Sequence, residues 1–267
     1  IHGQNRQRGA TSSCIHHALA EVNLGHAVEI DFTPLDGTLP FEQLFHIPEP
    51  WYIYRICFNQ ALKQLDVYVK YREGTLFSCA ECGAAHQPVK DHVAREPWRH
   101  LNFFEYPCYI HADLPRIKCG ICNRILRVKV PWALDKERHY FTLWFDALII
   151  KLAKDMPMNA ISRLLGEHDT RLWRILHHYV DNAIATQDLS YVTKISTDET
   201  SAKRGHNYIT IFMDPEQKNV IYVTKGRDSS TWAECKKQLE SHGGSAENIT
   251  EVCMDMSAAF IKGAEEN

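Results

Sequence analysis

YVTKISTDETSAKRGHNYITIFMD, residues Tyr191–Asp214, reads as strand, turn, strand, and the fold of the C-terminal third follows from it. Val192 and Ile195 are β-prone. Ile209, Ile211 and Met213 alternate with Thr210, Phe212 and Asp214, which predicts two half-buried strands. Lys203, Arg204, Gly205 and His206 form a basic, turn-prone loop between them. Asp198 is expected where the first strand runs out. A second acid at a strand end, Asp255, follows the apolar run Val252–Met254 in ITEVCMDMSAAFIKG. Either aspartate alone is most simply a turn residue. Brought side by side, two strand-end carboxylates offer the oxygen ligands that hard divalent cations prefer.

Working outward, a third strand is predicted at Val220–Thr224, a helix at Thr231–His242, a strand at Ile249–Met254 and a helix from Ser257. Thr231 and Glu234 have the spacing of a capping box, and Gly243–Gly244 supplies a stop. Three strands, a helix, a strand and a helix make the opening half of a ribonuclease H-like fold.

Upstream the period is helical. Phe141, Trp144, Phe145, Leu148 and Leu152 mark one amphipathic helix. Pro157 opens a second, carrying Ile161, Leu164 and Leu165 and stopping at Gly166. Asp169 or Thr170 caps a third, with Leu172, Ile175, Leu176, Tyr179 and Ala183 on one face. This is either a plain three-helix unit or a helix-turn-helix. In the second case the third helix enters a major groove and offers Arg171, Arg174 and His178 from its outer face.

Before the helices stand two C-x-x-C pairs, Cys79/Cys82 and Cys119/Cys122. Each pair in a tight turn points two thiolates at one ion, and two pairs close a tetrahedral Zn²⁺ site with no open position, which makes the zinc structural. The long insert between them must fold back as its own loop or hairpin. It holds His86, His92, His100, His111 and Cys108 as substitute ligands, each more simply a surface or packing residue. Arg116, Lys118, Arg124, Arg127 and Lys129 lie around the second pair with no acid between Leu114 and Val130. A charge run is usually a solvated face, but on a zinc-stapled turn it becomes a candidate phosphate-contacting surface.

WYIYRICFN (Trp51–Asn59) and QLDVYVKYR (Gln64–Arg72) alternate with period two and predict a hairpin, preceded by one helical turn at Phe41, Leu44 and Phe45. Residues 1–38 show no sustained period and are expected to be a poorly ordered extension, Cys14, His16 and His17 included. The chain opens on Ile and closes inside a helical pattern, so both ends are expected to be those of a fragment or an unusual reading frame.

The composition is that of a globular protein: 267 residues, 45% hydrophobic and 24% charged. A net charge of −3 gives no global basic signal, so nucleic-acid binding rests on local patches. No apolar run reaches the roughly 18 residues of a membrane span, and the start IHGQNRQRGA is polar with no following apolar h-region, so no signal peptide is expected. Nine cysteines without such a leader point to a reducing compartment and to metal ligation.

The order of hairpin, Cys₄ finger with a long insert, helix-turn-helix and strand-end acids resembles bacterial insertion-sequence transposases of the ISL-three family. The wording resembles them too, in LPFEQLFHIPEPWYI, RHLNFFEYPCYIHADLPRIKC, STDETSAKRGHNYITIFMD and VCMDMSAAFIKGAEEN. The resemblance implies a multidomain α+β protein. Its segments are the 1–38 extension, a helical turn and hairpin at 39–74, a zinc finger at 75–131, a helix-turn-helix at 135–187 and an incomplete ribonuclease H-like DDE domain at 191–267. It implies DNA transposition, with Asp198 and Asp255 as the first two catalytic acids and as ligands of Mg²⁺ or Mn²⁺. It further implies double-stranded terminal inverted repeats as partner, a homo-oligomer on DNA, no membrane, and a bacterial cytoplasm close to the nucleoid. The family's third acid, a Glu, lies well downstream. Glu265 and Glu266 stand too near Asp255 to replace it, and Glu199 points across the strand from Asp198. The fragment alone is therefore expected to be inactive. The competing readings are a protein that occupies element ends without cutting them and a zinc-dependent transcription regulator with a degenerate nuclease tail.

Overall fold

A computed structural model describes residues 28–31, 40–94, 96–134, 140–203, 207–255 and 257–267. The chain divides into two compact units, residues 1–176 and 177–267.

The first unit is built on a five-stranded sheet. Helix α1 (Pro40–Leu44) leads into the predicted hairpin, β2 (Trp51–Asn59) and β3 (Gln64–Tyr71), which pairs Asn59 with Gln64 and Trp51 with Tyr71. Strand β1 (Val28–Asp31) adds to the β2 edge from the segment in which the sequence shows no period; the rest of the N-terminal segment lies outside the described residues. The zinc-finger insert does fold back as a hairpin, β5 (Glu96–Phe103) with β6 (Tyr106–Ala112). Strand β6 then runs parallel to β3, giving the order β1-β2-β3-β6-β5. A smaller sheet packs beside it, β4 (Val89–His92), β7 (Pro115–Lys118) and β8 (Ile125–Arg127), in the order β4-β7-β8.

Alternation decides what lies between the sheets. Trp51, Ile53, Val67, Val69, Trp98 and Ile110 point inward and join Ile117, Val128 and Trp132 in one core. Trp132 receives Trp51 and Trp98 edge-on, at 5.0 and 5.8 Å between ring centroids. Aromatic pairs prefer that arrangement because the positive ring edge meets the negative face. Cys79 and Cys119 belong to the same core, so the finger and the hairpin share one interior.

Three helices follow: α2 (Leu143–Ala153), α3 (Met158–Leu165) and α4 (Asp169–Ala185). Thr142 caps α2, its hydroxyl accepting from Phe145 N–H at 3.3 Å. Gly166 ends α3 with φ +67°, a left-handed turn that a side chain would strain. Neither Asp169 nor Thr170 caps α4: Asp169 is already helical, and Thr170 N–H donates to His168 Nδ1 at 3.3 Å.

The second unit is a four-stranded sheet, β9 (Lys194–Lys203), β10 (Asn207–Asp214), β11 (Asn219–Lys225) and β12 (Glu251–Cys253), in the order β11-β10-β9-β12. The first three strands form an antiparallel meander, and β12 lies parallel to β9 after the crossover helix α5 (Ser230–Ser241). Thr197, Phe212, Ile221, Trp232, Cys235, Leu239 and Phe260 of the last helix, α6 (Ala258–Glu266), are buried on one side of this sheet. Two local expectations are corrected. Strand β9 runs on through Asp198 to Lys203, because β10 continues to pair with it, Ile211 opposite Asp198. The Thr231–Glu234 capping box does not form. Asp228 accepts from Ser230 N–H at 3.0 Å instead, and Glu234 accepts from the Thr224 hydroxyl. Arg204, Gly205 and His206 of the basic loop lie outside the described residues.

Candidate functional site

In the first unit the four predicted cysteines converge. Their sulfurs all lie within 4.8 Å of one another, with Cys79 to Cys122 at 3.8 Å and Cys82 to Cys119 at 3.6 Å. Four sulfurs about 2.3 Å from a central zinc stand about 3.8 Å apart at the corners of a tetrahedron, so the donor set fits Zn²⁺. Both pairs sit in turns made by the chain itself. Gly83 N–H bonds Cys79 O at 3.1 Å with Gly83 at φ +73°, and Cys119 N–H bonds Arg124 O at 2.9 Å. The turns aim amides at sulfur. Those of Cys82 and Glu81 pull the Cys79 thiol down to about 6, and those of Cys122 and Ile121 lower Cys119. A thiol held as low as that of Cys79 is a thiolate at neutral pH, the form that binds metal, whereas Cys82 and Cys122 of the same cluster are shifted upward. Gln87 ties the knuckles by accepting from Gly120 N–H at 2.8 Å, and Arg124 pairs with Glu81 across them.

None of the substitute ligands joins this cluster. His92 bonds the Tyr71 hydroxyl at 2.7 Å, His111 bonds Asp66 at 2.7 Å, and His100 bonds the Thr142 hydroxyl at 2.9 Å. Cys108 is fully buried, and burial pushes its thiol up to about 12.

The basic run is acid-free only along the chain. Folding brings Asp91 to Arg116 as a two-bond pair at 2.6 and 2.8 Å, Glu81 to Arg124, and Glu96 to Arg127 at 2.9 Å. Lys118 and Lys129 are exposed.

On the third helix the two arginines part company. Arg171 turns inward: its guanidinium lies 4.5 Å from the Phe141 ring centroid and pairs with Glu167 one turn back. Arg174 is exposed, and beside it stands Trp173, 43% exposed, which the sequence reading passes over because an aromatic on a helix is ordinarily core. His178 is half-buried and bonds Asn182.

In the second unit the two aspartates follow the paired segments of β9 and β12. Strands β9 and β12 pair Ser196 with Cys253, and two residues further along each chain come Asp198 and Asp255. Strand β12 ends at Cys253, so Asp198 faces the place where its parallel neighbour stops and Asp255 leaves it. Both are exposed, and Asp198 Oδ1 accepts from Glu199 N–H at 2.8 Å. Glu199, the next residue on the strand, faces the opposite side, toward Thr210. Glu265 and Glu266 are exposed on α6.

Comparison with known proteins gives three successive matches. Residues 75–122 match a model described as the zinc-finger of transposase IS204/IS1001/IS1096/IS1165, and residues 128–180 match the helix-turn-helix domain of transposase family ISL3. Residues 195–267 match a model of the ISL3 set described as transposase. The chain is similar to the transposase for insertion sequence element IS1557 of Mycobacterium tuberculosis, 24% identical over 168 residues, which is 61% of this chain and 36% of that protein. It is also similar to the transposase for IS1001 of Bordetella parapertussis, 25% identical over 200 residues, 74% of this chain and 47% of that protein. The matched part thus spans less than half the length of these relatives. No solved structure matches the chain.

Proposed function

We propose that the chain is part of a transposase of the ISL3 family, whose zinc-finger, helix-turn-helix and transposase models it matches in succession, and that the whole protein binds the terminal inverted repeats of an insertion sequence and cuts and joins DNA there. The observation that supports the nuclease part is the parallel pairing of β9 with β12, whose last pair, Ser196 with Cys253, lies two residues before Asp198 and Asp255. With β11-β10-β9-β12 as the sheet order, the second unit reads as the opening half of a ribonuclease H-like fold. Asp198 and Asp255 would hold the catalytic cations, Mg²⁺ or Mn²⁺, by carboxylate oxygens. Such cations, when bound, activate the attacking water or 3′-hydroxyl and offset charge on the leaving oxygen. The chain's own part is to fix that acidic rim and to position the DNA, with no covalent enzyme intermediate. No third carboxylate joins these two in a metal-holding group among the described residues, and with two acids alone this stretch is expected not to cut.

The helix-turn-helix supplies the reading of sequence. Arg174 is the base-contacting arginine, with Trp173 beside it, while the half-buried Arg171 is engaged by Glu167 and the Phe141 ring. Lys118 and Lys129 contact phosphates, and Arg116, Arg124 and Arg127 do so by exchanging their carboxylate partners. The protein works as a homo-oligomer on DNA, in the cytoplasm where that DNA lies. Among the described residues no helix is long and apolar enough to cross a membrane.

The test begins with selection of a preferred duplex from random sequence by residues 1–267. Arg174→Ala should then relax that preference at roughly 1–3 kcal/mol per lost base contact. Lys118→Ala should weaken all duplexes alike and reduce the log–log salt slope by about 0.9. A wild-type chain with no sequence preference would sink the reading role of α4. A protein that occupies element ends without cutting is the second reading. It is favoured by the observation that, among the described residues, only two acids stand on the rim.

A further inference from the structure

We propose that the outer face of the five-stranded sheet is a stacking platform for unpaired DNA, a reading that rests on the proposed handling of DNA by this protein. A sheet with one face on the core ordinarily turns polar, flexible side chains to water. Here the inward residues Trp51, Ile53, Val67, Val69 and Ile110 are buried as expected, but the outward positions carry rings. Tyr52 and Tyr54 of β2, Tyr68 of β3 and His111 of β6 are all half-buried. Tyr68 stacks on His111 at 4.8 Å with 19° between planes, and Tyr54 stands 6.2 Å from Tyr68. Two cations lie over these rings, Arg55 over Tyr68 and Lys70 over Tyr54, each 4.2 Å from the centroid.

This row opens into a groove of about 800 Å³ that shares Tyr52 and Lys70 and is walled by Tyr71 and His92. Those two rings are themselves stacked, 5.8 Å apart with 18° between planes. Toward β5 the face closes, where Arg99 sits between Tyr109 and Phe145.

An unpaired nucleotide offers a flat face that can take the place of Lys70 on Tyr54 and a phosphate within reach of the Lys70 ammonium. A base replacing Lys70 on Tyr54 exchanges a cation–π contact for base stacking and frees the ammonium for the backbone. Asp66, the acid amid the row, is occupied by Gln64 and His111. Glu73 and Asp113 line the groove, so it takes a base while the phosphates follow the Arg55–Lys70 side. Duplex DNA hides its base faces and gains little here.

The experiment measures fluorescence anisotropy of zinc-loaded residues 1–267 with labelled oligo-dT of about 12 nucleotides and, separately, with a duplex. The platform predicts oligo-dT binding that weakens about 5- to 100-fold in Tyr54→Ala/Tyr68→Ala, with duplex affinity unchanged. Tyr54→Phe should bind as the wild type does. Should the double variant lose its zinc or its cooperative melt, Lys70→Glu at the exposed position must show the oligo-dT loss instead. Oligo-dT binding without duplex binding would support the platform and sink the helix-turn-helix reading. The proposal is overturned if the wild type ignores oligo-dT, or if the variants bind it undiminished. It is also overturned if they lose self-association and not oligo-dT, since the face then joins copies of this chain.

Discussion

Arg99 is 1% exposed, and its guanidinium stands 3.3 Å from the carboxylate of Glu167, itself 7% exposed. Arg99 comes from β5, and Glu167 from the turn between α3 and α4, so this pair fastens the sheet to the helix-turn-helix within the first unit. Removing one member of a buried pair leaves an uncompensated charge, which costs more than the pair contributed. Glu167→Ala should therefore lower stability by about 3–5 kcal/mol in urea unfolding. Arg171→Ala, at the more exposed end of the same carboxylate, should cost about 1 kcal/mol or less. Equal losses would mean that the buried pair is not the fastening. His100, next along β5, gives a pH signature. Burial first, then the neighbouring His46 and Arg99, push its imidazole down to about 4, whereas the unfolded chain titrates near 6.5. The unfolded state thus binds the extra proton between those values, so this contribution is whole above pH 6.5 and is lost as pH falls toward 4. The loss amounts to up to about 3 kcal/mol. His100→Gln should flatten the stability profile between pH 6.5 and 4.5 relative to the wild type, since proton competition for zinc is common to both. Parallel profiles would show that His100 does not titrate there. Neither Arg99 nor His100 was legible as a core residue, because each is made so by a partner more than forty residues away.

The elements themselves were largely legible where partners are near in sequence. The β2–β3 hairpin, the three helices after Phe141 and the succession of strands and helices in the second unit all follow from period and turn residues. What escaped was pairing at a distance: β6 beside β3, and β1 at the sheet edge, are fixed by backbone bonds that leave no mark on residue type. The extension of β9 to Lys203 was hidden by STDETSAK, polar on both faces, which only its pairing with β10 identifies as strand. The convergence of the four cysteines was legible, since C-x-x-C carries its own geometry. Their exposure to a shared core was not, and it changes what metal removal should do. Cys79 and Cys119 lie in the same interior as Trp51, Trp98 and Trp132. Chelation should therefore release about one Zn²⁺ per chain and also shift tryptophan emission of the whole first unit, because metal binding is coupled to folding free energy. Cys82→Ser should mimic it. Metal-free protein with unchanged emission and melting would show that the knuckles stand without the ion.

At the scale of the whole molecule the question is how much of a nuclease residues 1–267 contain. The acids were legible as strand-end aspartates, yet Asp198 proves to lie inside β9, and it is the early end of β12 that opens the rim beside it. Two neighbouring carboxylates repel each other, and a cation between them relieves that repulsion. Residues 1–267 should accordingly bind Mn²⁺ weakly, and Asp198→Ala should abolish that binding without altering duplex affinity. In-line displacement needs two ions about 3.5–4 Å apart, which two acids alone, one on β9 and one just past the end of β12, do not fix. Incubated with Mn²⁺ and a DNA carrying the selected site, this stretch should leave the strand intact. A longer protein of the length of the relatives, of which the matched region is less than half, should nick it, and Asp198→Ala or Asp255→Ala in that longer protein should stop the nicking while leaving binding. Cleavage by residues 1–267 that vanishes in their Asp198→Ala variant would instead show that two acids and the chain in hand suffice, and the need for a third carboxylate would be refuted.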